Sequence, residues 1–186
     1  MKKIVLAVLI GSALIAADNG LYVGVDIGST GLDGKAKTTS TSGSYEDDIS
    51  ENDASQTIKI GYYFNQNNRV TAFAQNINIS GGDARLYGIN YDYLIGNHPL
   101  KPFVGALAGY GALEGDNGTN ITGNIIGAQV GINYAFNEHL SAEAGYRYML
   151  SSMSGSYSET DFGVDYKTDV DIETAGNFFI GLNYKF

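Results

Sequence analysis

Apolar and polar residues alternate along most of this chain, most clearly in residues 171–186, DIETAGNFFIGLNYKF. From position 186 back to position 178, every second residue is apolar or aromatic, and most of the residues between are small or polar. This period of two is typical of a β-strand with two unlike faces. The apolar face of this strand carries Phe178, Ile180, Leu182, Tyr184 and Phe186.

Seven further segments show a similar period and predict an all-β chain of eight strands. The alternation is blurred only in the third of the eight, where Phe73 and Ile77 share a face with Thr71 and Gln75. Strands of about ten residues are long enough to cross a membrane when they are tilted. The seven segments are 20–28, 54–64, 69–79, 84–95, 101–112, 123–136 and 140–150.

The connections between these strands alternate in length. Residues 65–68, 96–100 and 137–139 form short turns, whereas 29–53 and 151–169 are long, polar and rich in Ser, Thr and Gly. Short turns on one side and long loops on the other are typical of outer-membrane barrels. We therefore predict an eight-stranded antiparallel up-and-down transmembrane β-barrel with short periplasmic turns and longer extracellular loops.

In such a barrel the apolar face points to lipid and the polar face lines the interior. Aromatic residues near both strand ends would form two girdles. Charged residues on the inward face would form a structural network, because buried charges need partners, or they would line a narrow ion path. These interior candidates are Asp26, Lys59, Asp92, Glu143, Arg147 and Lys185.

The N-terminus predicts export. Lys2 and Lys3 precede an apolar run from Ile4 to Ala17 that is too short to cross a bilayer as a helix. We therefore predict a cleaved signal peptide over residues 1–17 and a mature barrel domain over 18–186.

The composition of the chain argues against several classes of function. The chain has no Cys, and its net charge of -9 makes nucleic acid an unsuitable partner. The two histidines, His98 and His139, fall in predicted periplasmic turns, so a Ser/His/acid site at the outer rim is hard to assemble. We expect no enzyme activity, no metal and no cofactor.

Of the 20 acidic residues, 15 lie in or beside the predicted outer loops. They would keep an exposed surface soluble, share divalent cations with lipopolysaccharide phosphates, or bind a basic partner. They are Asp33, Glu46, Asp47, Asp48, Glu51, Asp53, Asp83, Glu114, Asp116, Glu159, Asp161, Asp165, Asp169, Asp171 and Glu173.

The phrases LYVGVDIG, KPFVGALAGYG, IIGAQVGINYAF and FFIGLNYKF resemble the small OmpA/OmpX-type barrels of the porin-like family that includes the neisserial opacity proteins. The resemblance implies a place in the bacterial outer membrane, in contact with lipids and lipopolysaccharide, and we expect a monomer. It also implies that the last strand contacts the barrel assembly machinery and that the loops serve a structural or adhesive role toward a host or environmental ligand. The alternatives are a small porin and a soluble secreted β-barrel.

Overall fold

A computed structural model describes residues 19–40, 43–79, 82–115, 120–161 and 164–186, with only the backbone of 115, 159–161 and 164–165. The predicted signal peptide, 1–17, and the predicted start of the mature domain at residue 18 lie outside these ranges. No helix that could span a membrane occurs in the described part of the chain.

The described residues form eight antiparallel strands that close into a barrel, so the predicted fold class is confirmed. Each strand pairs with the next along the chain, and β8 pairs with β1 to complete the ring. The strands are β1 (Gly20–Ser40), β2 (Gly43–Asn65), β3 (Asn68–Ile79), β4 (Gly82–Leu94), β5 (Leu100–Gly115), β6 (Asn120–Ala135), β7 (Leu140–Asp161) and β8 (Val164–Lys185).

The prediction of long loops over 29–53 and 151–169 is wrong for the described residues there. These segments continue as paired strands, with β1 and β2 in unbroken register from Gly20↔Tyr63 to Ser40↔Gly43. A neighbouring strand satisfies the backbone groups of these polar residues, and the Thr residues among them suit a pleated surface. Residues 41–42 and 162–163 lie outside the described ranges.

The strand lengths divide the barrel wall into a high side and a low side. Strands β1, β2, β7 and β8 have 21–23 residues, whereas β3 to β6 have 12–16. The four long strands therefore extend as one sheet beyond the pairing with β3 and β6. We call this extension the projecting sheet; it comprises residues 31–40, 43–54, 155–161 and 164–174.

A β-bulge marks the base of the projecting sheet. The register between β1 and β8 changes from Asp33↔Thr174 to Gly34↔Ile172, so Glu173 is an extra residue. Ala175 is buried below the bulge and Ile172 above it. The bulge thus shifts the alternation of β8 by one residue, which keeps the apolar side chains pointing inward on both sides of it.

The burial pattern confirms that the apolar face points outward. Ile27, Phe178 and Ile180 are about three-fifths exposed or more, whereas their neighbours Asp26 and Asn177 are buried. The end of the barrel with the short connections, here called the turn end, faces the periplasm in barrels of this type.

Glycines make room for large side chains inside this narrow barrel. A Cβ at Gly131 would lie 2.6 Å from the Phe103 ring, and one at Gly145 would lie 2.8 Å from the Phe179 ring. Aromatic rings on the inward face therefore alternate with glycines on neighbouring strands.

Candidate functional site

Ion pairs across the lumen join the strands on the turn-end side of the barrel interior. Lys59 on β2 lies 2.5 Å from Asp26 on β1 and also pairs with Glu143 on β7. Arg69 on β3 binds Glu143 at 2.8 Å and Asp92 on β4 at 2.8 Å. One cluster of ion pairs therefore ties five strands together through their side chains.

Arg147 extends this cluster without a direct ion pair among the described contacts. Its Nε donates to Gln129 Oε1 at 3.0 Å, and Gln129 Nε2 donates to Asp92 Oδ1 at 2.6 Å. The guanidinium lies 4.7 Å from the ring centre of Phe73 and 5.2 Å from that of Phe179. Cation–π contacts of this kind stabilise a desolvated guanidinium.

The structure brings together five of the six interior residues named from the sequence: Asp26, Lys59, Asp92, Glu143 and Arg147. The sixth, Lys185, lies at the turn end, where its Nζ is 5.9 Å from the ring centre of Tyr63. Sequence reasoning missed Arg69, which binds two of the three buried carboxylates. The only sequence feature that indicated an inward position for Arg69 was its alternation in phase with Thr71 and Gln75, which are also buried.

The buried charges balance. The buried ionisable side chains comprise three acidic and three basic residues, Asp26, Asp92, Glu143, Lys59, Arg69 and Arg147. With their ordinary charges they sum to zero, so this part of the lumen, here called the polar layer, carries no net charge.

An apolar layer fills the lumen next to the polar layer and extends into the base of the projecting sheet. Its buried members come from every strand except β2, which contributes the partly buried Ile49, and they include Ile77 and Met149, both fully buried. Close-packed apolar side chains leave no room for a water file. The buried members are Leu32, Phe73, Ile77, Ala84, Leu86, Leu107, Ile121, Ile125, Met149, Met153, Val170, Ile172 and Ala175.

The outward face of the projecting sheet mixes both signs of charge. Lys35 lies 3.1 Å from Glu46, and Lys167 lies 2.8 Å from Asp169. The Glu46 carboxylate raises the pKa of the exposed Lys35 side chain by hydrogen bonding and by charge attraction. These surface pairs add little stability individually.

The inward face of the projecting sheet is different in character. Its described side chains are aromatic, apolar, hydroxyl-bearing or acidic. At the level of Thr38, one register row crosses all four strands: Tyr157 on β7, Thr168 on β8, Thr38 on β1 and Tyr45 on β2. Thr38 and Thr168 hydroxyls hydrogen-bond at 3.0 Å in the middle of this row.

Several of the acidic residues named from the sequence lie on one or the other of these two faces. For four others, the structure does not describe the side chain. Asp47, Glu51 and Asp53 lie on the inward face of β2, and Glu46 and Asp48 on its outward face. The side chains of Asp116, Glu159, Asp161 and Asp165 are not described.

Aromatic pairs surround the barrel at the turn end. Edge-to-face contacts join Tyr62 with Phe64, Tyr134 with Phe136 and Tyr184 with Phe186, at ring distances of 5.5, 5.1 and 5.2 Å. All six side chains are exposed on the outer surface. Such a ring of amphipathic and aromatic side chains is typical of the membrane interface.

The histidines occupy the short connections at the turn end, as predicted. His139 Nδ1 lies 2.9 Å from the Lys185 carbonyl oxygen, to which it donates as the Nδ1–H tautomer. Among the described residues, no three Asp, Glu or His side chains lie close enough together to hold a metal ion.

Comparison with known proteins agrees with this architecture. A family model described as "outer membrane protein beta-barrel domain" matches residues 4–186. The chain belongs to the outer membrane β-barrel family. As a member of that family it resides in the bacterial outer membrane, which explains the exposed apolar belt. None of the curated protein sequences compared matches the chain significantly.

Solved structures of other outer membrane barrels share the fold. Neisserial surface protein A is 24% identical, with a TM-score of 0.61 over 90% of this chain and 97% of its own. OprG from Pseudomonas aeruginosa is 17% identical, with a TM-score of 0.62 over 91% and 97%. AlkL, solved in lipid bilayers, is 16% identical, with a TM-score of 0.63 over 95% and 94%.

Proposed function

We propose that this outer membrane β-barrel is a non-enzymatic surface-interaction protein that does not conduct ions. The observation that carries the proposal is the projecting sheet. Four strands continue past the shorter wall by about ten residues, or roughly 30 Å of extended chain. A barrel that served only to span the membrane would not need this extension.

The interior supports a non-conducting barrel. An ion crossing it would have to separate the Arg69 and Lys59 ion pairs and then enter the apolar layer. Breaking buried pairs and burying an unpaired ion are both costly. The small-porin alternative would need both layers to open.

The lipid-facing surface supports the partners expected from family resemblance. Its aromatic girdle suits contact with membrane lipids and lipopolysaccharide. We further propose that the apolar face of β8 is the signal read by the barrel assembly machinery and that the barrel works as a monomer. The signal residues are Phe178, Ile180, Leu182, Tyr184 and Phe186, and all five are exposed.

A trimmed barrel tests the role of the projecting sheet. Residues 37–46 and 156–169 would each be replaced by an Asn-Gly turn, joining Ala36 to Asp47 and Gly155 to Val170 in their existing register. The apolar layer keeps its members, so the trimmed barrel should still show heat-modifiable migration on a denaturing gel. Cells that display it should lose adhesion to other cells or surfaces relative to cells with the full chain.

Planar-bilayer recording tests the second half of the proposal. Purified full-length protein should give no discrete conductance steps. Reproducible steps, or equal adhesion of cells carrying the full and trimmed chains, would refute a non-conducting surface-interaction role.

A further inference from the structure

The projecting sheet separates its charges by face. Its three described lysines, Lys35, Lys37 and Lys167, all lie on the outward face. The inward face carries three carboxylates along β2 and no basic side chain among its described residues. These carboxylates belong to Asp47, Glu51 and Asp53, which pair with Ala36, Leu32 and Thr30 of the inward-facing row on β1.

Exposed aromatic rings occupy the same face. Tyr45 is 60% exposed, Tyr157 is 37% exposed and Tyr166 is 36% exposed. Their strand positions are in phase with the inward-facing Thr38 and Thr168. These rings lie on the inward face and not on the lipid-facing one, so lipid contact does not account for their exposure.

From this arrangement we infer that the inward face of the projecting sheet is a docking site for an extended polypeptide segment bearing Lys or Arg side chains. The inference rests on the proposed surface-interaction function and names the partner class. Tyrosine rings attract cations through their π faces, and the β2 carboxylates attract the same cations by charge. An anionic partner would meet only repulsion on this face.

The dimensions and the floor of the site suit a peptide. Tyr45 and Tyr157 stand three strand spacings apart, which is roughly 14 Å, or about four residues of extended chain. Below this row lie Ile49, Val170 and Ala36, which continue into the apolar layer. A segment in which basic and apolar residues alternate would therefore place cations against Tyr and carboxylate groups and apolar side chains against the floor.

A fluorescent eight-residue peptide of alternating Arg and Leu serves as the probe, with an alternating Glu and Leu peptide as its control. Titration into full-length protein in detergent micelles or nanodiscs should show saturable binding of the Arg peptide only. Asp47→Asn with Glu51→Gln should weaken binding by about tenfold, and Tyr45→Ala with Tyr157→Ala by a similar factor.

Glu46→Gln with Asp48→Asn is the matched control, because it removes two charges from the same strand on the opposite face. This pair should change affinity by less than about twofold. Tyr45→Phe with Tyr157→Phe keeps both rings and should retain binding. Heat-modifiable migration verifies that each variant is folded.

Equal losses of affinity in the inward-face and outward-face double variants would show that the overall negative charge of the protein attracts the peptide. That result would overturn a site on the inward face. No saturable binding of the Arg peptide would also overturn it, as would binding of a neutral chitooligosaccharide in its place. If the trimmed barrel loses adhesion while the inward-face variants bind normally, the proposed function stands and this inference falls.

Discussion

At the scale of single residues, the polar layer depends on Arg69. Its guanidinium serves Asp92 and Glu143, which come from different strands, and also donates to the Tyr63 hydroxyl at 3.2 Å. A planar group with several fixed donors suits this bridging role better than a lysine would. Removing it would leave two carboxylates buried with fewer partners.

We predict that Arg69→Leu lowers the free energy of unfolding by about 3–5 kcal/mol, the cost of stranding buried charges. Urea unfolding of protein refolded into vesicles measures this. Arg85→Leu is the control, since Arg85 is exposed and lies 3.6 Å from Asp83 and 3.7 Å from Glu114. Its cost should stay below about 1 kcal/mol. Similar losses from both variants would contradict a central role for Arg69.

A second residue-scale prediction concerns the space beside Asp26. A Cβ at Gly181 would lie 1.9 Å from Asp26 Oδ1, whereas one at Gly31 would have only ordinary contacts, the nearest at 3.7 Å. Gly181→Ala should therefore destabilise the barrel by about 1–3 kcal/mol through overpacking. Gly31→Ala should be neutral or slightly stabilising in the same unfolding experiment. Tolerance of Ala at position 181 would mean that Asp26 can move without loss of its Lys59 contact.

At the scale of elements, alternation located all eight strands but not their outer ends. Residues 29–53 are rich in Ser, Thr, Gly and acidic side chains, which resemble a loop in composition. Among the described residues of this segment, however, 29–40 continue β1, which is flanked by β2 and β8, and 43–53 pair with β1. The bulge at Glu173 shifted the period of β8, so counting back from Phe186 could not follow the strand past that point.

Alternation did not predict which residues point inward on a strand whose two faces both mix polar and apolar residues. On β3 the inward residues include Phe73 and Ile77, and the outward residues include Asn76 and Asn78. Neither face is uniformly apolar, so the inward position of Arg69 could not be read from its own strand. The lumen itself changes from polar to apolar along its length. The assumption that the polar face of each strand lines the interior does not predict this change.

The closing strand β8 yields an element-scale prediction. We expect Phe186→Ser to lower the amount of barrel in the outer membrane more than it lowers stability, because family resemblance implies a role in assembly. Phe136→Ser is a matched control: Phe136 is similarly exposed and packs on Tyr134 as Phe186 packs on Tyr184. Membrane fractionation measures the first quantity and urea unfolding the second. Equal membrane levels for the two variants would argue against a signal at position 186.

At the scale of the whole molecule, charged and apolar side chains occupy different levels along the barrel axis. The polar layer is neutral overall, the apolar layer has no charge, and the carboxylates of the inward face lie along β2, the one strand that contributes no buried member to the apolar layer. Since the buried charges of the polar layer cancel, the net negative charge of the barrel lies on side chains outside this layer. Two different barriers stand in series across the lumen.

Barriers in series predict that opening one layer is not enough for conduction. Arg147→Ser would open the polar layer and leave its buried charges at a net of about -1, while Ile125→Ser with Met149→Ser would hydrate the apolar layer. In planar bilayers, each variant alone should stay silent, and the triple variant should give cation-selective steps because the remaining charge is negative. Heat-modifiable migration would verify that the triple variant is folded. Steps from Arg147→Ser alone would show that the apolar layer is no barrier, since ions would then pass it while its side chains are unchanged.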